Sequence, residues 1–224
     1  MNNFPPVTKN LLIINALCFL GMIAARRYGI DLADYLGLHF FLASDFNLAQ
    51  LVTYMFMHAN FEHVFFNMFA LWMFGRTLEN VWGSKRFLIF YMVCGIGAGL
   101  VQELVQYIEY ATVLSSYQTV NIGSMVIPMS EYLNEMTTVG ASGAIYGILM
   151  GFGMLFPNAE LFIIPIPFPI KAKYFVIIYV ILELVLGAMN VDNIAHFAHL
   201  GGMIFGFLLI RHWKKQGQHG QYPF

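Results

Sequence analysis

Apolar residues fall in long runs along this chain, and the polar ones collect where the runs begin and end. Six runs stand out, at 10–25, 63–78, 87–107, 140–156, 174–189 and 194–213. A helix that crosses a bilayer needs about 20 predominantly apolar residues, within a range of about 17–25. The runs predict six spanning helices, several short enough to start or stop below the membrane surface. The first closes at Arg26-Arg27 and the fourth at Pro157, a residue that cannot continue a helix. Of the connections, 28–57 is amphipathic and aromatic, with Phe40, Phe41 and Phe46, and predicts a segment lying in the interface. The other long one, 108–139, is polar at Ser115-Ser116 and Asn121, and predicts a cover over an outer opening. No repeat, low-complexity tract or linker interrupts the pattern. The expectation is an all-α membrane protein of one domain, 1–224, with 214–224 as a cytoplasmic tail.

Composition agrees with the pattern. The chain is 59% hydrophobic and 10% charged, with 22 Phe and 14 Met, where soluble domains carry roughly 25% charged residues. A net charge of −1 gives no reason to expect a nucleic-acid partner. Cys18 and Cys94 both sit in apolar runs, so no disulfide scaffold is expected. The first run, with Ala24-Ala25 near its end, has the outline of a cleavable secretory signal, but Lys9 is a thin basic flank and five more runs follow. A retained first span is expected. With the N-terminus cytoplasmic and the spans alternating, Lys9, Arg76, Lys85, Arg86, Lys171, Lys173, Arg211, Lys214 and Lys215 fall inside, and Arg26 and Arg27 outside. That distribution is positive-inside, with both termini cytoplasmic. The outer segments hold Asp31, Asp34, Asp45, Glu109, Glu131, Glu135 and Asp192 instead. The start of the fourth helix then lies near the outer face.

Polar side chains at membrane depth are costly and often mark function. The second helix carries His63 and Asn67, four apart on one face, with His58 in the entering turn. The sixth carries His196 and His199, three apart, and the fourth carries Ser142 and Tyr146. All three sets lie at outer helix ends, at similar depth. Gly143, Gly147 and Gly151 make one small-residue stripe, and Ala198, Gly202 and Gly206 another. Such stripes let membrane helices approach closely. Close approach is what a Ser–His hydrogen bond of about 2.6–3.2 Å requires. A serine hydroxyl needs a base to take its proton, and a neutral histidine can do so near pH 7. An oxyanion needs donors. His63 and Asn67 supply them, as does the Ser142 N–H, unpaired in a helix first turn. No Asp or Glu is spaced to orient His199 from its own helix. A Ser–His dyad is expected, with Tyr146 packing on or orienting the imidazole.

These residues resemble the rhomboid intramembrane serine proteases, over about 51–210. Gly140-Ala141-Ser142-Gly143 is similar to the family's Gly-x-Ser-Gly. Tyr146 stands where the family places a tyrosine against its catalytic histidine. Ala198-His199, followed by Gly202 and Gly206, resembles Ala-His-x-x-Gly-x-x-x-Gly, which makes His199 the base rather than His196. His58, His63 and Asn67 match His-x4-His-x3-Asn, which implies oxyanion roles for His63 and Asn67 and a structural one for His58. Glu79, near Gly75 and followed by Gly83, is similar to a Glu-containing motif at the end of that helix. The resemblance implies a six-helix rhomboid-like bundle whose substrates are single-span membrane proteins. They would enter between the second and fifth helices and be cleaved near the outer surface, under a cap around residues 190–193. One departure is that Ala49-Gln50 stands where family members often carry Trp-Arg.

Other readings are weaker. A metal or haem site built from the histidines leaves Ser142, Asn67 and the glycine stripes unexplained, so no metal or cofactor is expected. A transporter or channel would continue its polar residues to the inner half, whereas here they stop near the outer face apart from Glu183. An inactive rhomboid-like binder of membrane clients would not need both Ser142 and His199. Glu183 itself reads either as a proton or gating group or as a contact to a polar partner, and His196 as structural. The compact plan, with no Arg-rich transit segment, predicts a multi-pass protein of a prokaryotic plasma membrane.

Overall fold

The computed structural model describes residues 4–162, 168–189 and 195–218. Among them, six helices reach ten residues or more. They are α1 (Pro6–Arg26), α2 (Phe61–Ala70), α3 (Ser84–Thr112), α4 (Ser142–Leu155), α5 (Ala172–Met189) and α6 (His196–Gln218). The apolar runs therefore become helices, with ends displaced by a few residues. α2 does not stop at Ala70. It passes through a π-helical stretch, Leu71–Gly75, and resumes as Arg76–Trp82. By length and composition α1, α3 and α5 are long and apolar enough to cross a membrane, and α4 is a shorter apolar helix.

Glu79 ties the start of the bundle together. Its carboxylate accepts the Val7 and Thr8 N–H groups at 2.9 and 2.7 Å, the Thr8 hydroxyl at 2.7 Å and the Ser84 hydroxyl at 2.7 Å. It thus satisfies N–H groups that the first turn of α1 leaves without internal partners and joins that turn to the start of α3. Gly83, at φ +77°, makes the reversal between Trp82 and α3, a backbone state that glycine reaches without steric cost.

The glycine stripes do what small residues at a helix crossing do. A Cβ on Gly202 would collide with the Gly143 carbonyl, and one on Gly206 would lie 3.2 Å from the Gly147 carbonyl. α4 and α6 therefore meet backbone to backbone, with Cys94 of α3 wedged beside Gly147. Gly151 turns elsewhere, toward Leu78, Trp82 and Phe90. Side chains such as Tyr54, Tyr91, Phe87, Phe90 and Ile148 fill the core around this crossing. The outer faces stay apolar: Ile13, Leu17 and Leu20 of α1 and Ile177, Ile181 and Val185 of α5 are all exposed. An apolar surface of this extent marks contact with lipid or partners.

The segment 28–57, expected in the interface, is folded on itself. It contains the short helices Ala33–Leu36 and Gln50–Thr53, and a strand, Leu38–His39, that pairs antiparallel with Thr137–Thr138. Gln50 is buried at its centre. Its Oε1 accepts from the Asn47 and His39 N–H groups at 3.0 and 3.3 Å, and its Nε2 donates to the Asp45 and Tyr35 carbonyls at 2.9 and 3.2 Å. The connection 108–139 holds a hairpin, Thr119–Ile122 with Met125–Pro128, and a helix, Met129–Glu135.

Candidate active site

Ser142 is the first residue of α4. The turn before it is held by Gly140, whose N–H donates to the Tyr54 carbonyl at 2.9 Å and whose φ is +128°. From α6, His199 Nε2 lies 2.8 Å from Ser142 Oγ. Tyr146, one turn into α4, stacks its ring on the His199 imidazole with centroids 4.1 Å apart and planes 5° from parallel. The Gly143–Gly202 approach makes the short Ser–His distance attainable, because these glycines directly follow Ser142 and nearly follow His199.

Asn60 caps α2 by accepting the His63 N–H at 2.8 Å. The His63 ring reaches the same turn of α4, since a Cβ on Gly140 would lie 2.6 Å from His63 Cε1 and 2.7 Å from Nε2. Asn67 is buried one turn along, its Nδ2 donating to the His63 carbonyl at 3.0 Å. His58, in the connection before α2, is fully buried with its ring edge-on to His63 at 5.1 Å. Burial, reinforced by the neighbouring His63 ring, lowers its pKa to about 4, so His58 is neutral near pH 7. Ser142, His199, His63, Asn67, Tyr146 and His58 are thus brought to one end of the bundle. Residues 190–193, expected as a cap, lie outside the described residues.

The sequence set Glu183 apart from this cluster, but the structure places it inside. Glu183 of α5 is 5% exposed, and its Oε2 lies 3.1 Å from His199 Nδ1 and 2.6 Å from His196 Nδ1. The Tyr146 hydroxyl also bonds this carboxylate. The chain therefore supplies from α5 the acid that α6 itself lacks. The available signal was a lone carboxylate in an apolar helix. Sequence reasoning also passed over Gln102 and Gln106 of α3, which with Glu109, Gly187, Ala195 and His196 line a cavity of about 260 Å³ beside the cluster. Glu183, His196 and His199 each offer one ligand atom, all within 4.8 Å of one another, which is close enough to hold a cation.

The rhomboid domain model matches residues 45–214. The chain is 30% identical over 153 residues to the mitochondrial rhomboid protein 1 of Saccharomyces cerevisiae, covering 68% of this chain and 38% of that protein. It is 31% identical over 159 residues to the rhomboid protease GluP of Bacillus subtilis, covering 70% and 24%. It is 31% identical over 162 residues to the rhomboid protease AarA of Providencia stuartii, covering 69% and 52%. The chain thus spans from about a quarter to a half of the length of these relatives. With a match over most of its length and apolar helices fit to cross a bilayer, the chain is an integral membrane protein that belongs to the rhomboid family.

Proposed function

We propose that this protein is an intramembrane serine endopeptidase, a six-span bundle with cytoplasmic termini that cleaves single-span membrane proteins near the outer membrane face. The observation that carries the reading is the 2.8 Å contact between Ser142 Oγ and His199 Nε2. At that distance the imidazole takes the hydroxyl proton as Oγ attacks the scissile carbonyl. The Oγ–C bond forms, and the carbonyl electron pair moves onto oxygen. The Ser142 N–H, His63 and Asn67 are the donors proposed for the charge that develops there. Collapse breaks the C–N bond, and His199 Nε2 returns its proton to the leaving amine. Water then repeats the sequence on the acyl-enzyme, releasing the acid and restoring Ser142. The cavity at His196 supports a water supply from the α3 side, through Gln102 and Gln106.

Activity-dependent labelling tests the reading. Purified protein in detergent is incubated with a fluorophosphonate probe beside Ser142→Ala and His199→Ala. Wild type takes up label and both variants lose it; persistence of labelling in Ser142→Ala removes the nucleophile. Co-expression with a panel of single-span reporters, scored for cleavage, then identifies which membrane proteins are cut.

A further inference from the structure

The structure assigns Glu183 as the positioning carboxylate of a Ser142–His199–Glu183 triad, with His196 and Tyr146 holding that carboxylate in place. The inference rests on Ser142 being the nucleophile and goes beyond the two-residue site proposed above. Glu183 Oε2 is an acceptor, so the His199 Nδ1 that faces it at 3.1 Å carries the proton. The neutral imidazole then has its lone pair at Nε2, the nitrogen 2.8 Å from Ser142 Oγ. That is the tautomer a general base needs. When Nε2 accepts the serine proton, the imidazolium forms against a carboxylate, and Nδ1–H stays on the histidine. This is the role of the orienting acid in serine hydrolases, which does not itself take up the proton.

The surroundings fit that role. Glu183 is buried in a helix of which only Ala172 and Val176 are otherwise buried, and a buried charge persists only when paired and hydrogen-bonded. His196 donates Nδ1–H to the same oxygen at 2.6 Å, and the Tyr146 hydroxyl bonds the carboxylate while its ring stacks on His199. Three contacts therefore fix one carboxylate, and two surfaces fix one imidazole. The groups facing His199 are Ser142 and Tyr146 from α4, Glu183 from α5, His196 from its own helix and His63 from α2. Tyr179 stands behind Glu183, and Glu109 of α3 lines the cavity at His196. Among the described residues, Glu183 is the only carboxylate within hydrogen-bonding distance of the imidazole.

The experiment measures fluorophosphonate labelling rate for wild type, Ser142→Ala, Glu183→Gln and Glu183→Asp, alongside each Tm, with and without EDTA. The amide keeps the volume but loses the charge. Glu183→Gln should label between about 10²- and 10⁴-fold more slowly than wild type. Glu183→Asp, which keeps the charge on a shorter stem, should recover at least about tenfold of that rate over Glu183→Gln at a similar Tm. EDTA should leave the wild-type rate unchanged. Equal labelling of Glu183→Asp and Glu183→Gln, or a loss of rate matched by a loss of folded protein, overturns the triad and makes Glu183 a packing anchor. A rate that collapses with EDTA overturns it in favour of a cation held by Glu183, His196 and His199. Labelling of Ser142→Ala at the wild-type rate defeats the underlying reading instead, so the two failures are distinguishable.

Discussion

Asn67 has two amide protons, and the His63 carbonyl engages one of them at 3.0 Å. The other remains free to meet an oxyanion. Asn67→Ala should therefore lower kcat by about 10²–10³, with a smaller change in KM, since the contact forms mainly in the transition state. Wild-type turnover in a reporter assay would remove Asn67 from the oxyanion site. His58 has a different consequence. Its folded-state pKa of about 4 lies below the ordinary imidazole value of 6.5, so the unfolded chain binds the proton first as pH falls. The associated stability is complete above about pH 6.5 and is lost progressively toward pH 4. His58→Gln should flatten the fall in Tm between pH 7 and pH 5, an effect on the order of 1 kcal/mol, and an unchanged slope would deny the buried neutral ring. That Ser142 and Tyr146 would meet a histidine of α6 was legible because helical spacing and small-residue stripes are local patterns, and the family resemblance picked His199 over His196. The third partner of His199 was not, because the distance between Glu183 and His199 is set by how α5 lies against α6, which no spacing along one helix encodes.

Close helix approach makes an equally specific claim. A methyl at Gly202 collides with the Gly143 backbone carbonyl, which cannot swing aside as a side chain would. Gly202→Ala should cost about 1–3 kcal/mol, overriding the gain of up to about 1 kcal/mol that alanine brings to a helix. It should also slow labelling, since α6 carries His199 one turn before the contact. Gly21 of α1 is the control, because a Cβ there meets nothing within 4 Å. Gly21→Ala should leave labelling intact and hold or raise Tm in matched detergent. Equal behaviour of the two variants would mean the α4–α6 crossing is not tight. Spacing alone predicted the crossing at Gly143, Gly147, Gly202 and Gly206, whereas Gly151 packs on Leu78, Trp82 and Phe90. The π-helical stretch at Leu71–Gly75 was invisible, because one extra residue per turn leaves the apolar run unbroken. The internal fold of 28–57 was not legible either. Its aromatic residues suggested a surface segment, while a single buried amide, Gln50, gathers four backbone groups into a compact loop.

At the scale of the whole molecule, charge and aromatic residues define two unlike ends. Trp82 and Trp213 meet edge to face at 5.5 Å, Arg86 sits 5.4 Å over Trp213, and Arg76 lies 5.5 Å from the Phe4 ring. Basic and aromatic side chains gathered at one level are characteristic of a membrane–water boundary, with the basic side cytoplasmic. His199 precedes Trp213 by fourteen residues on α6, which at 1.5 Å per residue is about 21 Å. In the proposed orientation, measured from that boundary, the site falls roughly 10 Å short of the far surface of a hydrocarbon layer about 30 Å thick. That depth fits a site shielded from bulk water yet reached from the side bearing the loops 28–57 and 108–139. Single cysteines placed in a background lacking Cys18 and Cys94 test this orientation. Ser116→Cys, on the exposed connection after α3, should react with a membrane-impermeant maleimide on intact cells. Lys215→Cys, near the end of α6, should react only after the membrane is opened. The reverse pattern would put Ser142 on the cytoplasmic side and exclude cleavage at the outer face, while leaving the Ser142–His199 chemistry itself intact.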